Sequence, residues 1–180
     1  MSQELERGIA ELKRFLGDSA YQLTPVKKKF GETAAFNYLL PPDYKDVRRT
    51  LRISFPVGFP YELPEFDITP SAFQIWPHVM IYGVCLFAAN QEPATTSPEE
   101  AVSVAMNQLI KLINFSLKDS DPVMREKEFS REIRSYWLYQ LGKSPSRFTL
   151  VKLPVETGPI FVVSENTNNP LNSRRYIGGE

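Results

Sequence analysis

The sequence predicts an α+β fold in which an N-terminal helix precedes a four-stranded antiparallel meander, with C-terminal helices and an extension after it. Three observations carry that prediction. An apolar stripe at helical spacing opens the chain, short alternating segments separated by turn residues come next, and a second helix start with full capping chemistry appears near residue 97.

Leu5, Ile9, Leu12 and Leu16 fall on one helical face, while Glu4, Glu6, Arg7, Glu11, Lys13 and Arg14 fill the others. This is an amphipathic helix ending near Gly17. Strand chemistry then takes over at Lys27 to Phe30, Ala34 to Leu40 and Thr50 to Phe55, separated by Gly31-Glu32 and Pro41-Pro42-Asp43. Leu51, Ile53 and Phe55 alternate with Arg52 and Ser54, which gives one buried and one wet face. Glu65 to Ile68 closes the meander.

Between these strands and the single cysteine, Pro56, Pro60, Pro64 and Pro70 interleave with aromatic residues. Proline removes a ladder donor and holds the preceding residue extended, so the segment reads as a buried, irregular crossover that delivers Cys85 to one place. Phe87 to Thr96 is a polar loop, and Ser97-Pro98-Glu99-Glu100 supplies an N-cap, a first-turn proline and a capping-box glutamate. Val102, Ala105, Met106, Leu109 and Ile113 are the core stripe of that helix. Asp121-Pro122 opens a further helix with Phe129, Ile133, Trp137 and Leu141 at steps of four. Arg147 to Leu153 and Pro159 to Val163 read as strands, and Ser164 to Glu180 as a polar, poorly ordered tail.

Composition narrows the function. The 180 residues suit one domain with or without an appendage, and 42% hydrophobic content suffices for a core. With 21 basic and 21 acidic residues the formal net charge is zero, which favours a protein partner over nucleic acid or an anionic membrane. No apolar run approaches the roughly 20 residues of a membrane span, and the N-terminus lacks signal-peptide chemistry, so a cytoplasmic location is expected. One cysteine excludes an internal disulfide, and one cysteine with one histidine falls short of the about four ligands of a closed zinc site. No cofactor or metal is expected; Cys85 acts, if it acts, as a thiol.

The order Phe55-Pro56, Phe59-Pro60-Tyr61-Glu62-Leu63-Pro64, Phe66-Asp67-Ile68, Trp76-Pro77-His78 and Gly83-Val84-Cys85-Leu86 resembles the ubiquitin-conjugating enzyme family. Members carry a strand ending in Phe-Pro, a proline-rich turn, a short strand, a His-Pro-Asn tripeptide and a Gly-x-x-Cys-Leu segment. The resemblance covers about the first 117 residues and implies a ubiquitin-conjugating-like core over 1–117, with 118–180 a C-terminal helix and strand extension. It implies that Cys85 is the catalytic nucleophile, and that His78 stands where the family has its asparagine, donating to the oxyanion or ordering the loop. Being titratable, His78 can also take the proton of an attacking amine.

The helix bearing Phe129, Glu132, Tyr136 and Trp137 is similar to the segment after the conjugating domain in bacterial proteins fused to an adenylation domain, in anti-phage systems built on a cyclic-oligonucleotide synthase. The expected partners are then a ubiquitin-activating-like adenylating enzyme or domain, a carried protein that is such a synthase or a ubiquitin-like protein, and a target lysine. The chain contains no nucleotide-binding glycine loop, so it reads as a stand-alone conjugating protein or the front part of a fusion.

Plainer readings stand beside these. Free cysteine is among the most buried residue types, and a histidine beside Trp76 and Pro77 is often simply packed. Trp76, Phe59, Tyr61 and Phe66 read as core, and Glu99, Glu100 and the charges over 122–141 as a solvated face. Tyr176-Ile177-Gly178-Gly179-Glu180 reads as a flexible tail rather than a modifier's Gly-Gly end. Two other functions fit the same residues: a non-catalytic binding module of this fold, and a cysteine hydrolase using Cys85 and His78, for which the sequence shows no clear group to orient the base.

Overall fold

A computed structural model describes residues 2–87 and 91–141 and three short segments, 147–150, 162–165 and 175–177; side chains are described through residue 131. The chain divides into two compact units, Met1–Glu132 and Ile133–Glu180. The expected α+β architecture is present in the first: an N-terminal helix, a four-stranded antiparallel sheet, and helices after it.

Helix α1 (Gln3–Leu16) starts where the Ser2 side chain accepts from the Leu5 amide. It stops at Gly17, whose N–H still donates to the Lys13 and Arg14 carbonyls while its φ of 54° takes the chain out of the helix. A 3₁₀ turn (Gly17–Gln22) leads to β1 (Thr24–Pro25), β2 (Glu32–Leu39), β3 (Thr50–Pro56) and β4 (Glu65–Thr69), paired in that order and all antiparallel. The register runs Phe36 against Ile53 and Ile53 against Phe66. A two-residue hairpin, β5 (Val79–Met80) with β6 (Gly83–Val84), precedes α2 (Pro98–Asn114). At the start of α2 the Ser97 hydroxyl accepts from the Glu100 amide, and the Glu100 carboxylate accepts from the Thr96 amide. Helix α3 (Pro122–Leu141) comes next.

The core is one cluster in which Leu5 and Leu12 of α1, Leu51, Ile53 and Phe55 of β3, Phe66 and Ile68 of β4, and Ala101, Val102, Ala105, Met106, Leu109 and Ile113 of α2 meet. Phe55 sits at its centre, edge-on to Phe59 with centroids 5.0 Å apart and to Phe36 at 6.3 Å. Polar ties lock α1 to α2: the Glu11 carboxylate accepts from Ser103 at 2.7 Å, and Arg7 forms a two-pronged pair with Glu99.

The structure corrects several expectations. Residues Lys27 to Phe30 form no strand; all four are exposed, and the first strand is Thr24–Pro25 because the register pairs Thr24 with Asn37 and Pro25 with Phe36. Ser54 is buried although alternation put it on the wet face, because β3 is an inner strand and Ser54 lies between Ala35 of β2 and Glu65 of β4. Tyr61 is exposed rather than core; the loop of residues 57–62 folds back on itself through Tyr61 N–H to Gly58 O and leaves the ring in solvent.

In the second unit, β7 (Arg147–Leu150), β8 (Val162–Glu165) and β9 (Arg175–Ile177) form a three-stranded antiparallel sheet. Strand β9 lies where the sequence suggested only a polar tail, while Gly178 to Glu180 fall outside the described residues. No helix among the described residues is long and apolar enough to cross a membrane.

Candidate active site

A buried ionic knot holds the approach to the site. Asp43 is fully buried and accepts from the Lys45 and Val47 amides, from Arg49 Nε at 2.8 Å and from the indole N–H of Trp76 at 3.1 Å. Burial alone would raise the Asp43 carboxyl, but those four hydrogen bonds together hold it below the usual carboxylate range. The second arm of Arg49 donates to the Pro70 and Ser71 carbonyls, and its guanidinium lies 5.5 Å from the Trp76 ring centroid. Tyr44 adds a bond from its hydroxyl to the Ile75 carbonyl. The irregular segment of residues 70–76 is thereby tied at both ends to the loop before β3.

Trp76 and Pro77 are buried beneath this knot, and His78 emerges from it with φ of 61°. That left-handed conformation is several-fold enriched in histidine over other non-glycine residues and costs of order 1 kcal/mol. It turns the chain into the β5–β6 hairpin. Pairing of Met80 with Gly83 and Val79 with Val84 continues one step further, where the Cys85 amide donates to the His78 carbonyl at 2.7 Å. The hairpin therefore sets Cys85 opposite His78 along the backbone.

Gly83 explains why a glycine stands two residues before the cysteine. Its φ is 135°, and a Cβ there would lie 2.7 Å from the Phe66 carbonyl oxygen of β4. Only glycine lets the hairpin lie this close to the sheet. On the far side, Gln108 of α2 donates to the Leu86 carbonyl at 3.0 Å. Cys85 is braced from both sides.

The thiol is half-buried, with Sγ 3.2 Å from the Phe87 carbonyl oxygen. It lines a cavity of about 630 Å³ together with Glu62, Glu65, Tyr82, Leu86 and Phe87. Residues 88–90 of the adjoining loop lie outside the described residues. A thiol at the edge of a cavity of that size is available both to attack an acyl carbon and to be attacked through it. Among the described residues no group of three or more His, Cys, Asp or Glu side chains could hold a metal ion.

The His78 ring meets a partner that sequence spacing could not reveal. Its Nε2 lies 3.0 Å from an oxygen of Glu128 on α3, fifty residues away, and the other Glu128 oxygen takes Arg131 at 3.0 Å. The sequence places Glu128 with the solvated face of its helix; it is instead only 15% exposed. Helical periodicity identifies faces, and a single glutamate at the margin of a polar face has no periodic signature. Comparisons with protein-family models, with curated proteins and with solved structures find no match.

Proposed function

We propose that the chain is a ubiquitin-conjugating-like acyl transferase in which Cys85 carries the C-terminus of a protein as a thioester and passes it to a target amine. The observation that carries this reading is the setting of Cys85: a half-buried thiol on a cavity edge, locked opposite His78 by the short hairpin and held against β4 by Gly83. That setting accords with the order of sequence motifs around the cysteine. The α+β architecture and the single thiol support the same reading without depending on it.

The chemistry is thioester exchange and then aminolysis. Cys85 thiolate attacks the thioester of an activating enzyme, whose thiolate leaves; a lysine nitrogen then attacks the acyl carbon, and Cys85 leaves in turn. Because the incoming acyl group is already activated, no full triad is required. By family analogy alone, the carried protein is a cyclic-oligonucleotide synthase or a ubiquitin-like protein, the donor is an adenylating enzyme or domain, and the setting is anti-phage defence in the bacterial cytoplasm.

The test is intact mass and non-reducing gel analysis of the native, Cys85→Ser and Cys85→Lys chains, each co-expressed with the proteins encoded beside it. The native chain should gain an adduct removed by thiol, the serine form a thiol-resistant ester and the lysine form an amide. Absence of any adduct on folded protein with partners present would favour the binding-module reading. A folded His78→Ala variant with an undiminished lysine-transfer rate would remove His78 from the chemistry.

A further inference from the structure

The thiol of Cys85 opens into surroundings whose charge the whole chain does not share. The formal net charge is zero, yet Glu62, Glu65 and Glu92 line the thiol's cavity and no lysine or arginine among the described residues does. None of these three carboxylates has an ion-pair partner among the described residues, whereas Glu32 and Asp67 nearby pair with Arg52 and Lys29. Strand alternation accounts for Glu65: Phe66 and Ile68 of β4 turn into the core, so Glu65 and Asp67 stand on the opposite face.

A second cavity, of about 310 Å³, continues along that face and is lined by Glu32, Arg52, Asp67 and the exposed ring of Phe30. It shares Glu62, Glu65, Phe66 and Tyr82 with the first, so the two form one groove leading away from the thiol. The groove is acidic beside Cys85, and further along its cations are already paired. Two joined cavities suit an extended chain better than a single side chain.

We propose that this groove receives an extended, basic C-terminal segment of the carried protein, with Glu62 and Glu65 as specificity residues for arginine or lysine just upstream of the acyl carbon. This rests on the reading of Cys85 as the acyl carrier. In loading, the thiol gives up its proton, its sulfur bonds the thioester carbonyl carbon, the old C–S bond breaks and the departing thiolate takes up a proton. The carried chain stays joined to Cys85 from loading to discharge, so charges beside the thiol act on it throughout. The attacking amine is the poorer occupant, because a carboxylate favours the ammonium form, which has no lone pair with which to attack. The carboxylates are exposed, so each contact is weak and selectivity comes from their acting together.

The test uses benzyl thioesters of N-acetylated peptides that end in glycine, with the three residues before it all arginine, all glutamine or all glutamate. Loading of Cys85 is followed by intact mass below saturation, at neutral pH and low salt. The native chain should load the arginine peptide about three- to tenfold faster than the glutamine peptide, the scale of two exposed ion pairs, and the glutamate peptide most slowly. Added salt should shrink these ratios. The double variant Glu62→Gln/Glu65→Gln should bring them close to one, and Glu62→Lys/Glu65→Lys should invert the order, which a merely structural role would not do. Glu4→Gln, which removes an exposed charge on α1, should keep the native ratios.

Equal loading of the three peptides by native protein would overturn the proposal, as would native ratios in the double glutamine variant. A double glutamine variant that keeps those ratios but discharges to lysine more slowly would assign the carboxylates to the amine instead. Failure of folded native protein to load any of the peptides would bring down the acyl-carrier reading itself.

Discussion

Replacing Asp43 with alanine should cost about 3–5 kcal/mol of folding free energy, the range found when one partner of a buried ion pair is removed. The structure gives the reasons for so large a figure. Asp43 and Arg49 are 0% and 3% exposed, so the guanidinium left behind cannot recover its counter-ion from solvent. Arg49 keeps the Pro70 and Ser71 carbonyls, which temper the loss, while the Trp76 indole N–H and two backbone amides lose their acceptor. Each buried donor left unpaired adds about 1–3 kcal/mol unless water enters the vacated space. Against a typical total of about 5–15 kcal/mol, the variant should be severely weakened.

Urea unfolding monitored by far-UV circular dichroism is the suitable assay, because Trp76 fluorescence would respond to the lost hydrogen bond itself. Asp43→Asn, which keeps one acceptor oxygen, should cost less than Asp43→Ala. In a cycle with Arg49→Met, the two losses should be non-additive by roughly 1–3 kcal/mol. A cost under about 1 kcal/mol for Asp43→Ala, with an unchanged m-value, would show that the knot does not hold the approach to the site as described.

Three further outcomes are expected from the same geometry. Glu11 is held down to about 2, first by its hydrogen bond from Arg14 and then by that from Ser103. Its contribution is therefore fully present above the unfolded value near 4.5 and lost as pH falls from about 5 towards 2. With Arg14 largely exposed, the loss should be about 1–2 kcal/mol, seen as an acid shift in urea midpoint that Glu11→Gln abolishes. Gly83→Ala should cost roughly 1–3 kcal/mol from the left-handed φ and the close Phe66 carbonyl, and should slow Cys85 alkylation by iodoacetamide or alter its rate beyond what stability explains. Leu109→Ala, at 1% exposure in the core, should cost about 2–5 kcal/mol in the same unfolding assay while leaving the alkylation rate of the folded protein unchanged.

The features legible in the sequence and those hidden from it divide along a physical line. Features set by local chemistry were legible: the Gly17 stop of α1, the Ser97 cap and buried stripe of α2, the span of α3, and strands β2 to β4. Features set by distant partners were not. Strand β1 is placed by pairing with β2 rather than by its own two residues, Ser54 is buried between its neighbours on β2 and β4, and Tyr61 is exposed by a loop that folds back on itself. At the site, Cys85 and His78 could be singled out from the motif order, and the hairpin sets them opposite each other. The Asp43–Arg49–Trp76 knot and the His78–Glu128 contact join residues 33 and 50 positions apart, a distance over which spacing carries no information.

The central claim, that Cys85 holds an acyl group and gives it to an amine, is tested most directly by single-turnover discharge. Native protein loaded at Cys85 with a glycine-type acyl group would be mixed with lysine, with arginine or with buffer alone, and the products weighed by mass. Loss of the thioester should be fast with lysine, yield the lysine amide, and be slow with arginine or buffer. Rapid release as the free acid, equal with and without lysine, would contradict the account and identify a hydrolase.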